Sequence, residues 1–427
     1  MLVQLNRAAG EAMSSLTGPG PAARVFAGVD WAENNHVVCL VDADGQVIDR
    51  ITVVHDKAGI ARLITVLTRA QVAGVGIERG DGPLVVALLA ADLPVFVIAP
   101  SQVRNLRSRY GSAGNKDDRF DAFVLADVVR TDQRRLAPLV NDRPETRTLR
   151  ALVRARKDLV GHRLAVANQL RAHLLIVLPG VVGLFSEFDA ATSRAFIAAF
   201  GTQDAVDALT AKQLQPWLRQ RYYHVKPATV LLQHLREAPP GVTGAAGQAM
   251  AGITQAYLGA LNTVMTHIEA LETQIAGALA AHPDAAIFTS LPRAGTTRAA
   301  RLLAEIGDCR GRFPTAAALA GLAGVTPSTR QSGHTRIVAF RWAVDKQLRD
   351  AVCDFAGDSR KANPWAANLY QQARARGKNH NHATRILARA WLSIIFKCWT
   401  TNTPYQPDQH RALQTLLLQQ HPKPDMG

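Results

Sequence analysis

The sequence lacks the features of a membrane, secreted or repeat protein. Its 427 residues contain no apolar run of 18 residues and no apolar core of signal-peptide type near the start, so we expect neither a membrane span nor a secretion signal. The four cysteines are far apart and form no CxxC pair, which predicts reduced, mostly buried thiols of a cytoplasmic protein. No fixed-period repeat or low-complexity tract is present, and the length predicts two or three folded domains.

Negative charge is also scarce. The chain has 34 Asp and Glu against 49 Lys and Arg, which gives a net charge of +15 and a pI near 10.2. From residue 285 to the end, 20 basic residues face 8 acids, so most of the excess lies in the last third. This balance favours a polyanionic partner, with nucleic acid as the first hypothesis. A membrane surface is disfavoured because no long basic amphipathic segment occurs.

Strand and helix patterns alternate near the start of the chain, after a predicted flexible arm at 1–23. Apolar alternation, turn residues and helical periodicity predict the order β-β-β-α-β-α-β. The segments are strands within 25–54, a helix at 57–70, a strand at 72–78, a helix around 83–92 and a strand at 95–99. Three leading strands followed by α/β units predict a mixed sheet covered by helices, as in the ribonuclease H-like fold, over 24–143.

Helical periodicity dominates the remainder of the chain. Long helices predicted at 149–178 and around 250–280 would pair as an antiparallel coiled coil or form an oligomer interface, within a region at 144–284. Further helices are predicted around 339–355 and 382–399, in a mainly α-helical third domain at 285–403, followed by a peripheral tail at 404–427. Short helices around Ala294 and Gly295 fit either a helix-hairpin-helix that meets phosphate or an ordinary helical hairpin.

Two carboxylates follow apolar strands. Asp30 closes the first strand and Glu78 closes the fourth, and these strands are neighbours in a ribonuclease H-like sheet. A buried carboxylate is costly unless it is paired or bound to metal. Each acid alone also fits a solvated strand end, but together they are expected to face one another.

A third group of acids lies in the stretch NKDDRFDA at 115–122. If a helix begins here, Asp118 and Asp121 share a face at spacing i, i+3, and Asp117 and Asp121 do so at i, i+4. Acids also favour a first helical turn through the helix dipole. Four acids from three places repel one another and need a divalent cation, and oxygen-only ligands suit Mg²⁺ or Mn²⁺.

A second candidate site is the polar stretch at 321–336, GLAGVTPSTRQSGHTR. It combines Ser and Thr hydroxyls with Arg330, His334 and Arg336 beside a glycine. Such a segment suits a hydroxyl nucleophile that attacks a phosphate among cations, or a polar loop on a basic surface. The HNH run at 380–382 is interpreted as a helix start, because no ligand partner stands at metal-site spacing.

These elements together resemble a known family. Asp30 after a strand, Glu78 in GIERG, the KDDRFDA stretch, and the segment from LPRAGTTRAARLLAEIGD to VTPSTRQSG are similar to the DEDD-type transposases of bacterial insertion sequences, the IS-one-ten group. The resemblance spans roughly residues 24 to 400. It implies a RuvC-like N-terminal domain and a C-terminal transposase domain, in a bacterial cytoplasmic protein.

The resemblance assigns roles to particular residues. It aligns Asp118 and Asp121 with the third and fourth acids, which join Asp30 and Glu78 as Mg²⁺ ligands, and leaves Asp117 as a first-turn acid. It makes Ser332, followed by Gly333, the nucleophile of a covalent serine–DNA intermediate. It also implies donor and target DNA, a structured guide RNA and a homo-oligomer, dimeric or tetrameric. The expected nucleic-acid contacts are Arg330, Arg336, Arg341, Lys346 and Arg349.

Two other functions remain open from the residues alone. One is a metal-dependent DNA nuclease or Holliday-junction resolvase that uses only the carboxylates. The other is a basic DNA-binding protein with a decayed catalytic domain, against which the four acids argue. Basic residues of the first long helix, Arg150, Arg154, Arg156 and Arg163, fit either a nucleic-acid surface or a solvated helix face.

Overall fold

A computed structural model describes residues 24–110, 117–341 and 344–420. The chain divides into two compact units, with the boundary between Asn141 and Asp142. The predicted arm at 1–23, Lys116 and the last seven residues of the predicted tail lie outside the described residues.

The first unit is built on a mixed five-stranded sheet. Its strands are β1 (Phe26–Asp30), β2 (Asn35–Val41), β3 (Val47–Val54), β4 (Gly74–Ile77) and β5 (Val95–Val97). The order across the sheet is β3-β2-β1-β4-β5, with β1 antiparallel to β2 and parallel to β4. In the turn between β2 and β3, Asp42 Oδ1 accepts hydrogen bonds from the backbone N–H of Asp44 and Gln46. The predicted strand order and mixed sheet are confirmed.

Helices cover both faces of this sheet. They are α1 (Lys57–Arg69), α2 (Pro83–Ala90), α3 (Pro100–Tyr110) and α4 (Asp118–Asp132). Because side chains alternate across a strand, Ala27 and Val29 of β1 join the core under α1 and α2. Phe26 instead joins the core under α3 and α4. This layered arrangement is consistent with a ribonuclease H-like fold.

Gly28 lets α4 approach β1 closely. A Cβ atom at this position would lie 2.0 Å from the carbonyl oxygen of Ala122 and 2.4 Å from the backbone N of Ala126. Both are backbone atoms of α4, so relief requires the whole helix to move. The glycine therefore holds the helix that carries Asp118 and Asp121 against the strand that carries Asp30.

We expect Gly28→Ala to lower the free energy of unfolding by about 3 kcal/mol or more, because backbone rather than side-chain atoms would clash. Urea denaturation followed by circular dichroism measures the change. Gly161→Ala is the matched control, since nothing lies within 4 Å of its added Cβ. In this helix interior the control should stabilise by about 0.5–1 kcal/mol. Equal stability of Gly28→Ala and the native chain would refute the close approach.

The second unit contains a long antiparallel helix pair, α5 (Pro144–Val177) and α10 (Gly244–Ala280). Contacts occur in opposite sequence order along the two helices. Thr146 bonds His282 just beyond α10 at 2.8 Å, Arg156 Nε donates to Glu272 at 2.8 Å, and His173 bonds Thr254 at 3.0 Å. Hydrophobic side chains between the helices complete the pair.

Four short helices lie between the two long ones in sequence. They are α6 (Ala191–Ala199), α7 (Gln203–Asp207), α8 (Ala211–Gln220) and α9 (Ala228–Glu237). Their apolar side chains, Phe196 and Leu231 among them, form a core with Leu170 and Leu174 of α5 and Leu258 of α10. This core lies at the C-terminal end of α5.

The remaining elements follow α10 in sequence, and most of their helices pack into a second core at the N-terminal end of α5. They are α11 (Ala285–Thr289), α12 (Gly295–Ile306), α13 (Ala316–Leu322), β6 (Ser328–Ser332), β7 (Thr335–Ala339), α14 (Lys346–Ser359), α15 (Pro364–Ala375), α16 (His380–Thr400) and α17 (Arg411–Gln420). Trp391 and Trp399 of α16 are fully buried there. Within the described residues, no helix is both long and apolar enough to span a membrane.

Two expectations for this unit are corrected, and a third is confirmed. Residues 335–339 form a strand, so the helix expected from 339 begins only at Lys346; β-branched Thr335, Ile337 and Val338 favour the extended conformation. The expected tail is not wholly peripheral, because Tyr405 is buried in the core and α17 follows it. The HNH run begins α16, as predicted, with Asn379 as its N-cap.

Candidate carboxylate site and serine hairpin

The acids of β1 and β4 stand at the same edge of the sheet. The two strands run parallel, and Val29 is paired with Ile77. Asp30 and Glu78 each follow the paired residue, and both side chains are half-buried. Parallel neighbouring strands therefore bring two carboxylates to adjacent strand ends.

The start of α4 separates the three acids of the NKDDRFDA stretch. Asp117 is the N-cap residue, and its Oδ1 accepts a hydrogen bond from the backbone N–H of Arg119 at 3.0 Å. Asp118 is exposed, and Asp121 is buried one turn later. The capping bond gives Asp117 a structural role and leaves Asp118 and Asp121 on one face.

One open cleft in the first unit is lined by all four predicted acids. Its volume is about 450 Å³. The lining residues are Asp30, Trp31, Ala32, Glu78, Pro100, Arg104, Arg107, Asp118 and Asp121. The carboxylates predicted from three separate sequence segments thus meet at a single place.

Two arginines that line the cleft were not predicted from the sequence. Arg104 and Arg107 stand three residues apart on α3, a spacing that places them on one helix face. Two guanidinium nitrogens of Arg107 donate hydrogen bonds to the Asp121 carboxylate. The distance from Arg107 Nε to Asp121 Oδ1 is 2.7 Å. The two cations three residues apart were the available signal, but their partner depends on how α3 packs on α4.

The donor chemistry of the cleft fits a hard divalent cation, because four carboxylates supply only oxygen ligands. Among the residues that the structure describes, however, no three His, Cys, Asp or Glu side chains converge closely enough to hold a metal ion. Arg107 occupies the Asp121 carboxylate in this arrangement. Coordination by all four acids therefore requires their side chains to draw together and Arg107 to yield oxygen atoms of Asp121.

An aromatic and histidine group adjoins the cleft. The guanidinium of Arg79 lies 4.9 Å from the ring centroid of Trp31, a lining residue. Behind Trp31, His36 Nε2 and His55 Nδ1 are 2.7 Å apart. Burial, and secondarily the charge of His55, lower the pKa of His36. This packing holds Trp31 at the rim beside Asp30.

Ser332 lies at the tip of a β-hairpin in the second unit rather than in an irregular loop. It ends β6 and pairs with Thr335, the first residue of β7. Gly333 has φ of +53°, in the left-handed region that favours glycine. The glycine after the serine therefore makes the tight turn, and Ser332 is exposed immediately before it.

The hairpin is open to solvent on both faces. Every residue from 329 to 339 is exposed, including the apolar side chains of Ile337 and Val338. A two-stranded hairpin without a covering layer has little stability of its own. Its serine is therefore accessible to a large ligand.

The five residues predicted to contact nucleic acid differ in their solvent exposure. Arg330 and Arg336 are exposed on the hairpin, and Arg341 and Lys346 are exposed after it. Arg341 makes one long hydrogen bond, at 3.4 Å, to the Gly321 carbonyl. Arg349 is half-buried, with its guanidinium 5.7 Å from the Phe340 ring centroid. Four of these cations are thus open to solvent near Ser332 in sequence.

Four arginines of α5 form ion pairs within the second unit. Arg150 pairs with Asp142, Arg154 with Glu305 at 2.7 Å, and Arg163 with Asp189 at 3.2 Å. Arg156 likewise pairs with Glu272 on α10. The four side chains are only partly exposed, and each has an acidic partner within the second unit.

The short-helix turn before α12 is tied down by ion pairs. Arg293 adopts φ of +59°, where glycine is usual, and its Nε donates to Asp358 at 2.9 Å. Arg298 and Lys361 also pair with Asp358, at 3.0 and 2.7 Å. Hydrogen bonds from Lys361 and Arg293 hold the pKa of Asp358 down at about 2.

This lowered pKa predicts acid-sensitive stability. The ionised carboxylate stabilises the folded state above its unfolded pKa near 3.8, and the contribution, about 2 kcal/mol, disappears as pH falls towards about 2. Urea unfolding of the native chain and Asp358→Asn should differ at pH 6 and converge at the acid end (on the order of pH 2).

Asp354→Asn is the control for this prediction. Asp354 pairs with Arg298 and Arg301, but 42% of its side chain is exposed. Exposed pairs contribute about 0–1 kcal/mol, so removal of Asp354 should lower stability less than removal of Asp358 at pH 6. A constant deficit of Asp358→Asn down to the lowest pH would contradict the titration.

Comparison with known proteins identifies the family of this chain. A family model described as "Transposase", of the IS110 DEDD type, matches residues 27–179. A second, described as "Transposase IS116/IS110/IS902 family", matches residues 285–371. The chain belongs to the IS110/IS116/IS902 family of transposases. Membership implies DNA binding, cleavage and strand transfer, and DEDD transposases generally depend on a divalent metal.

Particular relatives match over nearly their whole length. The IS117 mini-circle protein of Streptomyces coelicolor is 32% identical over 409 residues, covering 92% of this chain and 97% of the relative. A 43.6 kDa protein of insertion element IS110 from the same species is 30% identical over 400 residues, covering 90% and 95%. A 42 kDa protein of IS900 from Mycobacterium paratuberculosis is 27% identical over 391 residues, covering 90% and 97%.

Proposed function

We propose that this transposase cuts and rejoins DNA through a covalent bond to Ser332, with a divalent cation held by the four acids. The observation that carries the proposal is that Asp30, Glu78, Asp118 and Asp121 all line one cleft. Like charges so placed favour a shared cation. A structured RNA is proposed to guide the reaction.

The carboxylates would hold Mg²⁺ or Mn²⁺, which when bound polarises phosphate oxygens. Asp30 and Glu78 are fixed by the sheet edge, and Asp118 and Asp121 by the first turn of α4. Arg107, which donates paired hydrogen bonds to Asp121 in this structure, would release oxygen atoms of Asp121 to the cation. Arg104, in the same cleft, is suited to contact an incoming phosphate.

Ser332 would supply the nucleophile. Its Oγ attacks the phosphorus of a DNA phosphodiester, one P–O bond forms, and the bond to the leaving oxygen breaks. The serine proton leaves Oγ, and the departing DNA oxygen is released as a hydroxyl. Attack by a hydroxyl of the other DNA end then reverses these bond changes and frees the serine.

Exposed cations around the hairpin would bind the DNA backbone. Arg330 and Arg336 flank Ser332 on β6 and β7, and Arg341 and Lys346 follow. Such contacts release counterions, so affinity should fall as salt rises. Arg349 is proposed as a supporting contact, since it is half-buried. Assembly into a homo-oligomer is part of the proposal.

A second candidate is a metal-dependent nuclease or resolvase that uses water and the carboxylates alone. One observation favours it: every residue that lines the cleft belongs to the first unit. In that case Ser332 would take no part in bond cleavage.

A trapping experiment separates the two candidates. The protein is incubated with Mg²⁺, DNA that carries the element's end, and RNA transcribed from its flanks, and the mixture is denatured. A protein–DNA adduct that resists denaturation, mapped to Ser332 by mass spectrometry, supports the serine mechanism. Cleavage without an adduct, retained in Ser332→Ala and lost in Asp118→Asn, would establish the hydrolytic candidate instead.

A further inference from the structure

The connection between α8 and α9 presents an aromatic side chain to solvent. Residues 221–227 read Arg-Tyr-Tyr-His-Val-Lys-Pro. The Tyr222 side chain is 86% exposed, and Val225 is 77% exposed. Neither residue belongs to the carboxylate cleft or the serine hairpin.

The neighbours of Tyr222 are anchored. The Tyr223 ring packs edge-on against Phe185 at 5.2 Å, and the Arg221 guanidinium lies 4.0 Å from the Trp217 ring centroid. The backbone N–H groups of Tyr222 and Tyr223 donate to the carbonyls of Arg219 and Leu218 at the end of α8. The backbone of Tyr222 is therefore held in place while its side chain extends into solvent.

The backbone of Tyr222 is strained. Its φ is +52°, a conformation that helix ends normally assign to glycine. A side chain there costs about 1 kcal/mol, and an 86% exposed ring recovers little of this through packing. Strained residues that persist without a packing reason are candidates for a functional role.

The charge around this loop is positive. No Asp or Glu occurs from 208 to 236, a segment with five Lys or Arg and two His. Lys212, Arg219, His224 and Lys226 are all exposed. An exposed aromatic ring among cations is the arrangement that binds single-stranded nucleic acid, where bases stack on the ring and phosphates meet the cations.

A stable protein partner would need about 800 Å² of matching surface, far more than two apolar side chains provide.

We propose that Tyr222 stacks on an unpaired base of a nucleic acid, while Arg219 and Lys226 contact the flanking phosphates. The ligand class is a single-stranded or looped-out nucleotide, in RNA or DNA. The site rests on the proposed function only in that the chain meets nucleic acid; it requires neither the serine nor the metal.

The test measures binding by fluorescence anisotropy, without divalent metal, in the full chain carrying Ser332→Ala. The probes are labelled 20-nucleotide oligouridine RNA, oligothymidine DNA and a duplex of the same length. Tyr222→Ala should bind at least one single strand about 5- to 100-fold more weakly, the range for loss of one base stack. Duplex binding should change by less than about 2-fold. The single strand that responds identifies the source of the nucleotide.

Further variants separate recognition from folding. Tyr222→Trp should retain affinity, because it keeps an aromatic face. Tyr222→Gly should raise the thermal unfolding midpoint, since strain is relieved, and still lose affinity. The matched control is Val230→Ala, exposed on α9, which should stay within about 2-fold.

Two results would overturn the inference: unchanged affinity of Tyr222→Ala for both single strands, and an equal loss of affinity for the duplex. In the first case, lost self-association in sedimentation would identify the loop as a protein contact. Because Ser332→Ala removes the proposed nucleophile from every sample, none of these results bears on the strand-cleavage proposal.

Discussion

Ser332→Ala is expected to eliminate the protein–DNA adduct and to lower the rate of strand exchange by at least about 10³-fold, because no other group replaces a lost nucleophile. The rate is measured with labelled donor and target DNA under single-turnover conditions. DNA affinity should change by less than about 2-fold, since the exposed serine of the hairpin makes no interior contact that its replacement would break.

The hairpin itself offers the matched controls. Ser328 begins β6 and Thr335 pairs with Ser332 across the turn, so Ser328→Ala and Thr335→Val alter hydroxyls in the same strands. Both should form the adduct at near-native rates. Adduct formation by Ser332→Ala, or its loss in Ser328→Ala alone, would assign the nucleophile elsewhere.

Two substitutions in the carboxylate cleft should have equal effects on activity and unequal effects on stability. Asp118→Asn and Asp121→Asn should each reduce cleavage by about 10²-fold or more, through weaker metal binding. Asp118 is exposed, so its replacement should change the free energy of unfolding by less than about 0.5 kcal/mol. Asp121 is buried against Arg107, and its replacement leaves that cation with a neutral partner, at a cost of about 2 kcal/mol.

Metal binding provides a second measurement that does not depend on activity. Magnesium chloride should raise the thermal unfolding midpoint of the native chain, because a ligand that binds only the folded state stabilises it. The shift should be absent in Asp118→Asn. Asp117→Asn is the control, because that side chain caps α4, and it should keep the shift. An equal magnesium shift in all variants would place the metal away from this cleft.

The fold of the first unit was largely predictable because its signals are local. Alternating apolar residues and the Asp42–Gly45 turn predict β2 and β3, and the sheet order then places Asp30 beside Glu78. The cleft follows from this order and from the helix that begins at Asp118. The capping role of Asp117 depends on one hydrogen bond, which residue spacing alone does not distinguish from metal binding.

Other features depend on tertiary contacts and could not be predicted from the sequence. The pairing of Arg107 with Asp121 requires α3 to pack against α4. The hairpin at Ser332 is built from polar and β-branched residues without an apolar face, so its strands give no period-2 signal. Arg154 pairs with Glu305, which lies 151 positions later in the chain. No local pattern in α5 predicts such a partner.

The paired helices α5 and α10 fix a distance within the second unit. α5 has 34 residues, or about 51 Å at 1.5 Å per residue. The core beside α12 and α16 lies at its N-terminal end, and the core that carries the Tyr222 loop lies at its C-terminal end. Such a length equals about 15 base pairs of duplex at 3.4 Å each. A duplex that reaches from one core to the other would therefore span about one and a half helical turns.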